Sequence, residues 1–130
     1  MTTLQSSRLR SAQPQVLPFA PTPSSPLIIA VANLKGGVAK TTTAVHLAEY
    51  LRRLGPTVLV DGDPNRSAMA WAGRNERPAS DSLHVITEME VPQYAQKACC
   101  YVFDTKARPE IDDIKAMIRA AKVIIIPTPP

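Results

Sequence analysis

Residues 27–54, LIIAVANLKGGVAKTTTAVHLAEYLRRL, decide the fold. The continuous apolar run over residues 27–32 is typical of a strand that is buried on both faces. Residues 40–54 repeat apolar side chains at helical spacing, and Gly55 with Pro56 then predicts the end of that helix. A buried strand, a short glycine loop and an amphipathic helix in this order predict the first unit of a parallel α/β sheet.

The rest of the chain repeats the alternation of strand and helix. Further strands are predicted at residues 57–60, 83–87, 99–103 and 122–126, and helices at 66–74, 92–98 and 110–121. The predicted fold class is therefore α/β, with a parallel sheet flanked by helices on both faces. Because the last residues, Thr128 to Pro130, directly follow a strand, we expect this domain, residues 27–130, to be incomplete.

The loop between the first strand and the first helix carries the chemistry. The common phosphate-loop pattern G-x-x-x-x-G-K-[ST] fails, because Leu34 and Ala39 occupy its two glycine positions. The pattern K-G-G-x-x-K-T stands instead, and its glycines let backbone N–H groups approach phosphate oxygens at a helix N-terminus. The predicted phosphate-binding residues are Lys35, Gly36, Gly37, Val38, Ala39, Lys40, Thr41 and Thr42. Within this set, Lys40 would reach the β- and γ-phosphates and Thr41 would offer its hydroxyl to Mg²⁺.

Three acids, Asp61, Asp63 and Asp104, follow or end predicted buried strands. The carboxyl ends of parallel strands meet at the edge where ligands bind in such sheets, so these acids are predicted to converge beside the loop. The alternative is that each is a solvated loop acid or a helix cap, as Asp63 before Pro64 would suit any turn.

At this point the chain resembles a known family, the ParA/MinD ATPases with a deviant Walker motif. The resemblance rests on NLKGGVAKTTTAVHLAEYLRRLG, VLVDGDPNRSAMAWAGR and VFDTKARPE, and the D-P-N-R-S-A-x-x-W stretch is most similar to the short partition ATPases. It implies a P-loop NTPase fold of the SIMIBI type, with ATP and Mg²⁺ as cofactors. ATP is preferred to GTP by this resemblance alone.

The resemblance also implies a role for each matching residue. Lys35 matches the signature lysine that touches the partner's nucleotide across a dimer, and Lys40 matches the phosphate-loop lysine. Asp63 matches the acid that positions the attacking water, so Lys35, Lys40 and Asp63 are the implied catalytic residues. Thr41, Asp61 and Asp104 are the implied metal residues, with Asp104 in the Walker B position. The implied assembly is an ATP-dependent homodimer that works with a ParB-like partner and nonspecific DNA, although the usual DNA surface is missing from these 130 residues.

The amino-acid composition and net charge limit the classes of function that the chain can have. Residues 1–26 contain Arg8 and Arg10, no acid, and many prolines and serines, which predicts a disordered arm. An organelle transit peptide is the alternative for this arm. The chain has 15 basic and 11 acidic residues, and its net charge of +4 is too small to indicate nucleic-acid binding by itself. No apolar run approaches the length of a membrane span, and we expect a cytoplasmic protein without a membrane partner.

Two other functions compete with a ParA-like ATPase. One is a non-catalytic fragment or regulator that keeps the fold and lacks turnover. The other is a positioning ATPase of the MinD kind, which ranks lower because no C-terminal amphipathic membrane helix follows the last strand. An iron–sulfur reductase is disfavoured, since the adjacent Cys99 and Cys100 do not supply separated thiolates.

Overall fold

A parallel sheet of five strands organises the described part of the chain. The computed structural model describes residues 20–33, 39–74, 78 and 81–129. The strands are β1 (Leu27–Val31), β2 (Thr57–Asp61), β3 (His84–Thr87), β4 (Cys100–Asp104) and β5 (Val123–Ile125). They lie in the order β3-β2-β4-β1-β5, and every pairing is parallel, which confirms the predicted fold class.

In the described part of the chain, three α-helices and a 3-10 helix lie between these strands. They are α1 (Lys40–Leu51), α2 (Ser67–Gly73), the 3-10 helix (Glu88–Tyr94) and α3 (Ile111–Ala120). Helix α1 ends at Leu51, three residues before the predicted end, and the amide of Gly55 donates to the carbonyl of Leu51 at 3.2 Å to close the following turn.

The helix predicted at residues 92–98 was wrong in position and type. A capping box starts the 3-10 helix earlier, because Glu90 accepts from the Thr87 amide at 2.8 Å while the Thr87 side chain caps the first turn. The segment cannot continue as a helix, since Gln96 has a positive φ of 63°.

The two faces of the sheet have different covers. Helices α1 and α2 pack on the face that presents Val31, Leu59 and Val102, all of which are fully buried. The opposite face presents Val60 and Ile86 and is covered by the 3-10 helix. Helix α3 lies on this second side near β5, where Met117 and Phe103 line one cavity.

Helix α3 has an apolar side but no buried residue. Its Ile114 and Ile118 line an apolar groove of about 510 Å³ together with Ile124 and Ile126. The apolar side of α3 and the edge strand β5 are therefore only partly covered by the described residues.

Part of the predicted arm is described. Residues 20–26 include a tight turn, in which Thr22 and Ser25 exchange two backbone hydrogen bonds of 3.1 and 3.0 Å. Disorder of residues 1–26 stays a prediction.

Candidate functional site

The strand register brings the ends of β1, β2 and β4 to one edge of the sheet. Val31 and Asp61 are both in register with Asp104 on the strand between them. Across the described residues, four charged residues are buried, namely Lys40, Asp61, Asp63 and Asp104. All four lie at this edge or on the first turn of α1. Buried charges are costly unless they are paired or bind a ligand, so this edge is the candidate site.

The N-terminus of α1 is arranged to receive an anion. Within the described residues it has no side-chain cap and no acidic residue in its first turn. The first N–H groups of an α-helix have no intrahelical partner. Those N–H groups and the helix dipole present partial positive charge to the loop that precedes the helix. Thr42 is exposed on this turn.

Lys40 extends its ammonium group toward the end of β4. Its Nζ donates to the backbone carbonyl of Thr105 at 2.5 Å and lies 3.6 Å from Oδ1 of Asp104. The Thr105 hydroxyl in turn donates to the carbonyl of Val31 at 2.8 Å. Lys40 is therefore held between β1 and β4, with its charge beside the open start of α1.

Asp104 is fully buried, and its two oxygens have different surroundings. Oδ2 accepts a hydrogen bond from the Thr41 hydroxyl at 2.7 Å. Oδ1 has no hydrogen-bond donor within the described residues. Burial raises the pKa of Asp104 above its usual range, although the Thr41 hydrogen bond and the Lys40 charge act in the opposite direction.

These surroundings fit a divalent cation. A buried carboxylate oxygen without a donor and a neighbouring hydroxyl are hard oxygen ligands, which Mg²⁺ prefers. No group of three His, Cys, Asp or Glu side chains among the described residues would hold a metal by itself. Mg²⁺ commonly keeps several waters and binds one or two protein groups plus substrate phosphates, so the pair of Thr41 and Asp104 suits it.

Asp61 and Asp63 hold the turn that follows β2. Asp61 accepts from the backbone N–H of Asp63 at 3.1 Å through Oδ1 and from that of Met69 at 3.0 Å through Oδ2. Asp63 accepts from the amide of Asn65 at 2.9 Å. Both oxygens of Asp61 thus accept hydrogen bonds from backbone amides, and these bonds fix the shape of the turn.

Gly62 lets this turn approach β4. Its amide donates to the carbonyl of Asp104 at 2.8 Å, and a Cβ at this position would lie 3.0 Å from that same oxygen. A side chain here would push the turn away from Asp104, and the acids of β2 and β4 would separate.

The structure therefore brings Lys40, Thr41, Asp61, Asp63 and Asp104 to the same edge of the sheet. We expected the three acids there because they follow or end parallel strands. Ala39 precedes α1 directly, and Thr42 follows on the same turn. The predicted residues Lys35, Gly36, Gly37 and Val38 lie outside the described residues.

Sequence reasoning missed three residues at this edge. Thr105 accepts from Lys40 through a backbone carbonyl, which every residue type has, so its identity gave no signal. Arg66 contacts the carbonyl of Asp61 and pairs with Glu88 at 2.9 Å, although Glu88 lies 22 positions away along the chain. The position of Arg66 two residues after D-x-D-P was a signal, but its partner could not be found without the fold.

Comparison with known proteins identifies the family. Residues 27–122 match the model of the AAA_31 family, which is described as an AAA domain. The chain belongs to this family. The matched range contains the whole site described above, from β1 to the start of β5.

Relatives of this AAA domain include partition ATPases. The chain is 37% identical over 115 residues to the "Maintenance of carboxysome distribution protein A" of Gloeobacter kilaueensis, covering 86% of this chain and 53% of that protein. It is 61% identical over 51 residues to the "Chromosome-partitioning ATPase Soj" of Thermus thermophilus, covering 38% of this chain and 20% of that protein. These similarities confirm the predicted kinship with ParA-like partition ATPases.

A solved structure supports the fold of this AAA domain. The structure titled "Structure of Cyanthece apo McdA" superposes with a TM-score of 0.62 and 17% sequence identity, covering 78% of this chain and 57% of that chain. The chain thus spans about half the length of the carboxysome distribution protein and of this solved structure. None of the helices formed by the described residues combines the length and the apolar composition that a bilayer crossing requires.

Proposed function

We propose that this chain binds Mg-ATP at the carboxyl edge of β1 and β4 and acts as a ParA-like ATPase. One observation carries the proposal. The cluster of buried Lys40, buried Asp104 and half-buried Thr41 lies at a helix N-terminus without a side-chain cap, after the K-G-G stretch of the sequence. Positive charge, free N–H groups and a Mg²⁺-type oxygen pair are the three elements that a nucleoside triphosphate needs.

The phosphates would lie against the first turn of α1. The N–H groups of that turn would donate to phosphate oxygens, and Lys40 would exchange its contact with the Thr105 carbonyl for the β- and γ-phosphates. Thr41 and Asp104 would hold Mg²⁺, which when bound offsets the charge of the phosphates. The chain's own contribution is to orient the triphosphate and to keep compensating charge in a buried setting.

Hydrolysis would depend on Asp63. It is 9% exposed and follows β2 at the edge that also presents Asp104. A carboxylate fixed in this way is suited to orient a water molecule toward the γ-phosphate. Asp61 would act through the turn, since both of its oxygens bind backbone amides.

The dimer switch is the finer part of the proposal. Family resemblance gives Lys35 the task of reaching the nucleotide of a second copy, so that ATP would favour a homodimer. A ParB-like partner would then stimulate hydrolysis, and the ATP-bound dimer would bind nonspecific DNA. The biological function would be plasmid or chromosome partition, and the protein would act in the cytoplasm.

Lysine substitutions test the site and the switch separately. Lys40→Ala should weaken ATP binding by at least about 100-fold, because a charge-assisted contact to the phosphates is lost inside a buried site. Lys35→Ala should keep ATP affinity while abolishing ATP-dependent dimers. Isothermal titration measures affinity, sedimentation velocity measures the dimer, and Lys115→Ala on exposed α3 is the matched control. Unchanged affinity in Lys40→Ala would disprove the phosphate site.

A non-catalytic regulator is the second candidate, and one observation favours it. The apolar side of α3 and β5 is exposed, as expected of a surface that another polypeptide covers. Such a regulator binds ATP at the same residues without turnover. Phosphate release with and without DNA decides between the two: stimulated turnover that Asp63→Asn abolishes supports the ATPase, and tight binding with no turnover supports the regulator.

A further inference from the structure

The turn between β2 and α2 is held from the outside by Arg66. Its side chain runs back across the turn, where Nη1 donates to the carbonyl of Asp61 and lies 2.9 Å from Oε2 of Glu88. Its Nη2 lies 3.4 Å from the other oxygen of Glu88. Glu88 begins the 3-10 helix directly after β3, so this pair ties the turn to a neighbouring element.

The backbone of Arg66 closes the same turn. Its amide donates to the carbonyl of Asp63 at 3.0 Å, and its carbonyl accepts from the amide of Ala70 at 3.0 Å in the first turn of α2. Its φ of 52° and ψ of 40° lie in the left-handed region, which is unfavourable for any residue with a Cβ. The turn adopts this conformation only while its contacts hold it there.

We propose that Arg66 and Glu88 form a latch that positions the Asp63 carboxylate for ATP hydrolysis. The latch holds the turn from outside, while the buried Asp61 carboxylate holds it from inside through the amides of Asp63 and Met69. Asp63 lies between these two supports. This inference rests on the proposed function, because Asp63 is the residue whose position it explains.

The exposure of the pair argues for positioning over simple stabilisation. The Arg66 side chain is 36% exposed and that of Glu88 is 51% exposed. Exposed ion pairs contribute little to global stability, so a stabilising role alone does not account for an arginine in a strained backbone conformation. Glycine would adopt this conformation freely, but it would supply no guanidinium.

The charges around Arg66 support the same role. The hydrogen bond from Arg66 lowers the pKa of Glu88 below its usual range, so Glu88 is ionised at neutral pH. Glu88 also lines a cavity of about 250 Å³ that reaches Gly62, Asp104 and Thr105. The latch therefore lies at the rim of the space beside the Walker B acid, on the same side as the turn it holds.

Loss of the latch should slow the chemical step more than it weakens binding. Among the described residues the Arg66 side chain donates to Asp61 and Glu88 and not to Lys40 or Thr41, so we expect the proposed phosphate-binding residues at the start of α1 to keep their positions. Asp63 would lose its fixed direction, and a displacement of about 1 Å in a reacting group costs on the order of 100-fold in rate. We expect kcat to fall by about 10- to 100-fold in Arg66→Gly and Glu88→Gln, with KM for ATP changed less than about threefold.

Arg66→Gly separates the latch from the backbone. Glycine keeps the left-handed conformation without strain and removes only the side chain, so failure to fold is not expected. Added ethylguanidinium should restore part of the lost turnover in this variant. The matched control is Arg52→Gly with Glu49→Gln, which removes a 2.6 Å Arg–Glu pair at the far end of α1 and should leave kcat unchanged.

A second readout is independent of turnover. The amides of Asp63 and Asn65 are hydrogen-bonded within the turn, so their hydrogen exchange reports its order. We expect Arg66→Gly and Glu88→Gln to accelerate exchange at both amides by at least about tenfold, with exchange in α1 unchanged. Unchanged exchange at these amides, or wild-type kcat in Arg66→Gly, would overturn the latch.

Failure of the latch and failure of the proposed function give different results. If Lys40→Ala binds ATP normally, the nucleotide site itself is wrong. If Lys40→Ala loses binding while Arg66→Gly keeps both turnover and slow exchange, the site stands and the latch alone is refuted.

Discussion

Ala39, the residue before α1, has a φ of 56° and a ψ of 30°. This is the left-handed region, which costs a residue with a Cβ roughly 1–2 kcal/mol relative to its usual conformations. Glycine stands at this position in the common phosphate-loop pattern and would adopt the same angles freely. Ala39 therefore stores backbone strain beside the proposed phosphate site.

Ala39→Gly should raise the stability of the ligand-free protein. We expect a gain of up to about 1 kcal/mol, since released strain exceeds the extra chain entropy that glycine loses on folding. Urea unfolding measures this gain. Ala116→Gly is the matched control, because it places the same change inside exposed helix α3 and should destabilise by about 1 kcal/mol. Destabilisation by both substitutions would contradict the strain at Ala39.

Asp104 links stability to pH. Burial raises its pKa in the folded state, so its contribution to stability is fully present below the ordinary aspartate pKa of 3.8 and is lost as pH rises through the raised value. The ionised form at neutral pH therefore opposes folding. We infer that this loss of folding stability is tolerated because the ionised carboxylate is needed to bind Mg²⁺.

Asp104→Asn should relieve this loss of stability and remove the proposed Mg²⁺ site. Asparagine keeps an oxygen for the Thr41 hydroxyl and carries no charge, so we expect a higher free energy of unfolding at pH 7 than in the wild type. That difference should disappear as pH falls below the ordinary aspartate range, and Mg²⁺ should no longer strengthen ATP binding. Exposed Asp81→Asn is the control, and an equal stability gain there would argue against burial as the cause.

The sequence predicts residues of this site to different extents. Lys40, Asp61 and Asp104 were predictable because they start a helix or end a strand, and parallel strands bring those ends together. Arg66 and Thr105 were not, because their roles depend on hydrogen bonds to a backbone carbonyl or from a distant side chain. The residue types at these positions do not indicate such contacts.

At the scale of elements, α3 shows what periodicity can and cannot predict. The spacing of its isoleucines correctly predicted a helix over residues 110–121, and in the structure this helix spans Ile111–Ala120. The same spacing places apolar residues on one side of α3, yet no residue of α3 is buried within the described structure. Periodicity reports which side is apolar, whereas burial depends on what lies opposite.

The start of α3 is held by a capping box that should depend on pH. Asp113 accepts from the Glu110 amide at 2.8 Å and from Lys106 at 2.7 Å. The Lys106 contact, followed by the Glu110 amide, lowers the pKa of Asp113. Its contribution is therefore present above the ordinary aspartate pKa and is lost as pH falls through the lowered value.

Substitutions at Asp113 should loosen the first turn of α3 in a graded way. At pH 7, amide hydrogen exchange in this turn should be slowest in the wild type, faster in Asp113→Asn and fastest in Asp113→Ala. Asparagine keeps an acceptor for Glu110 and loses the ion pair, while alanine loses both. Asp112→Asn is the neighbouring control. Identical exchange in the wild type and Asp113→Ala would show that the box does not hold the helix.

The whole molecule is uneven in its apolar cover. The buried core lies around β2, β4 and β1, whereas Ile118 of α3 is 60% exposed and Ile126 beyond β5 is 62% exposed. Edge strands and exposed apolar patches both promote association. This region, formed by α3 and residues 123–126, is the part of the described molecule best suited to contact another polypeptide surface.

Charge placed in this region should reduce self-association of the 130-residue chain. We expect Ile118→Lys and Ile126→Lys to lower the apparent mass of the ligand-free protein at high concentration, as measured by sedimentation velocity. Leu54→Lys is the control, because Leu54 is 69% exposed at the far end of α1. Equal effects of all three substitutions would point to net charge instead of a local surface.

The order of the strands has a consequence for synthesis on the ribosome. Thr41 and Asp104 are 63 positions apart, and β1 pairs with β4 and β5, which are both made later. At about 5–20 residues per second, roughly 3–13 s pass between translation of the two halves of the site. During that interval neither β4 nor β5 is available to pair with the apolar strand β1. The unpaired strand is then exposed to pairing with other chains unless something else covers it. The site can therefore assemble only late in synthesis, after β4 has emerged.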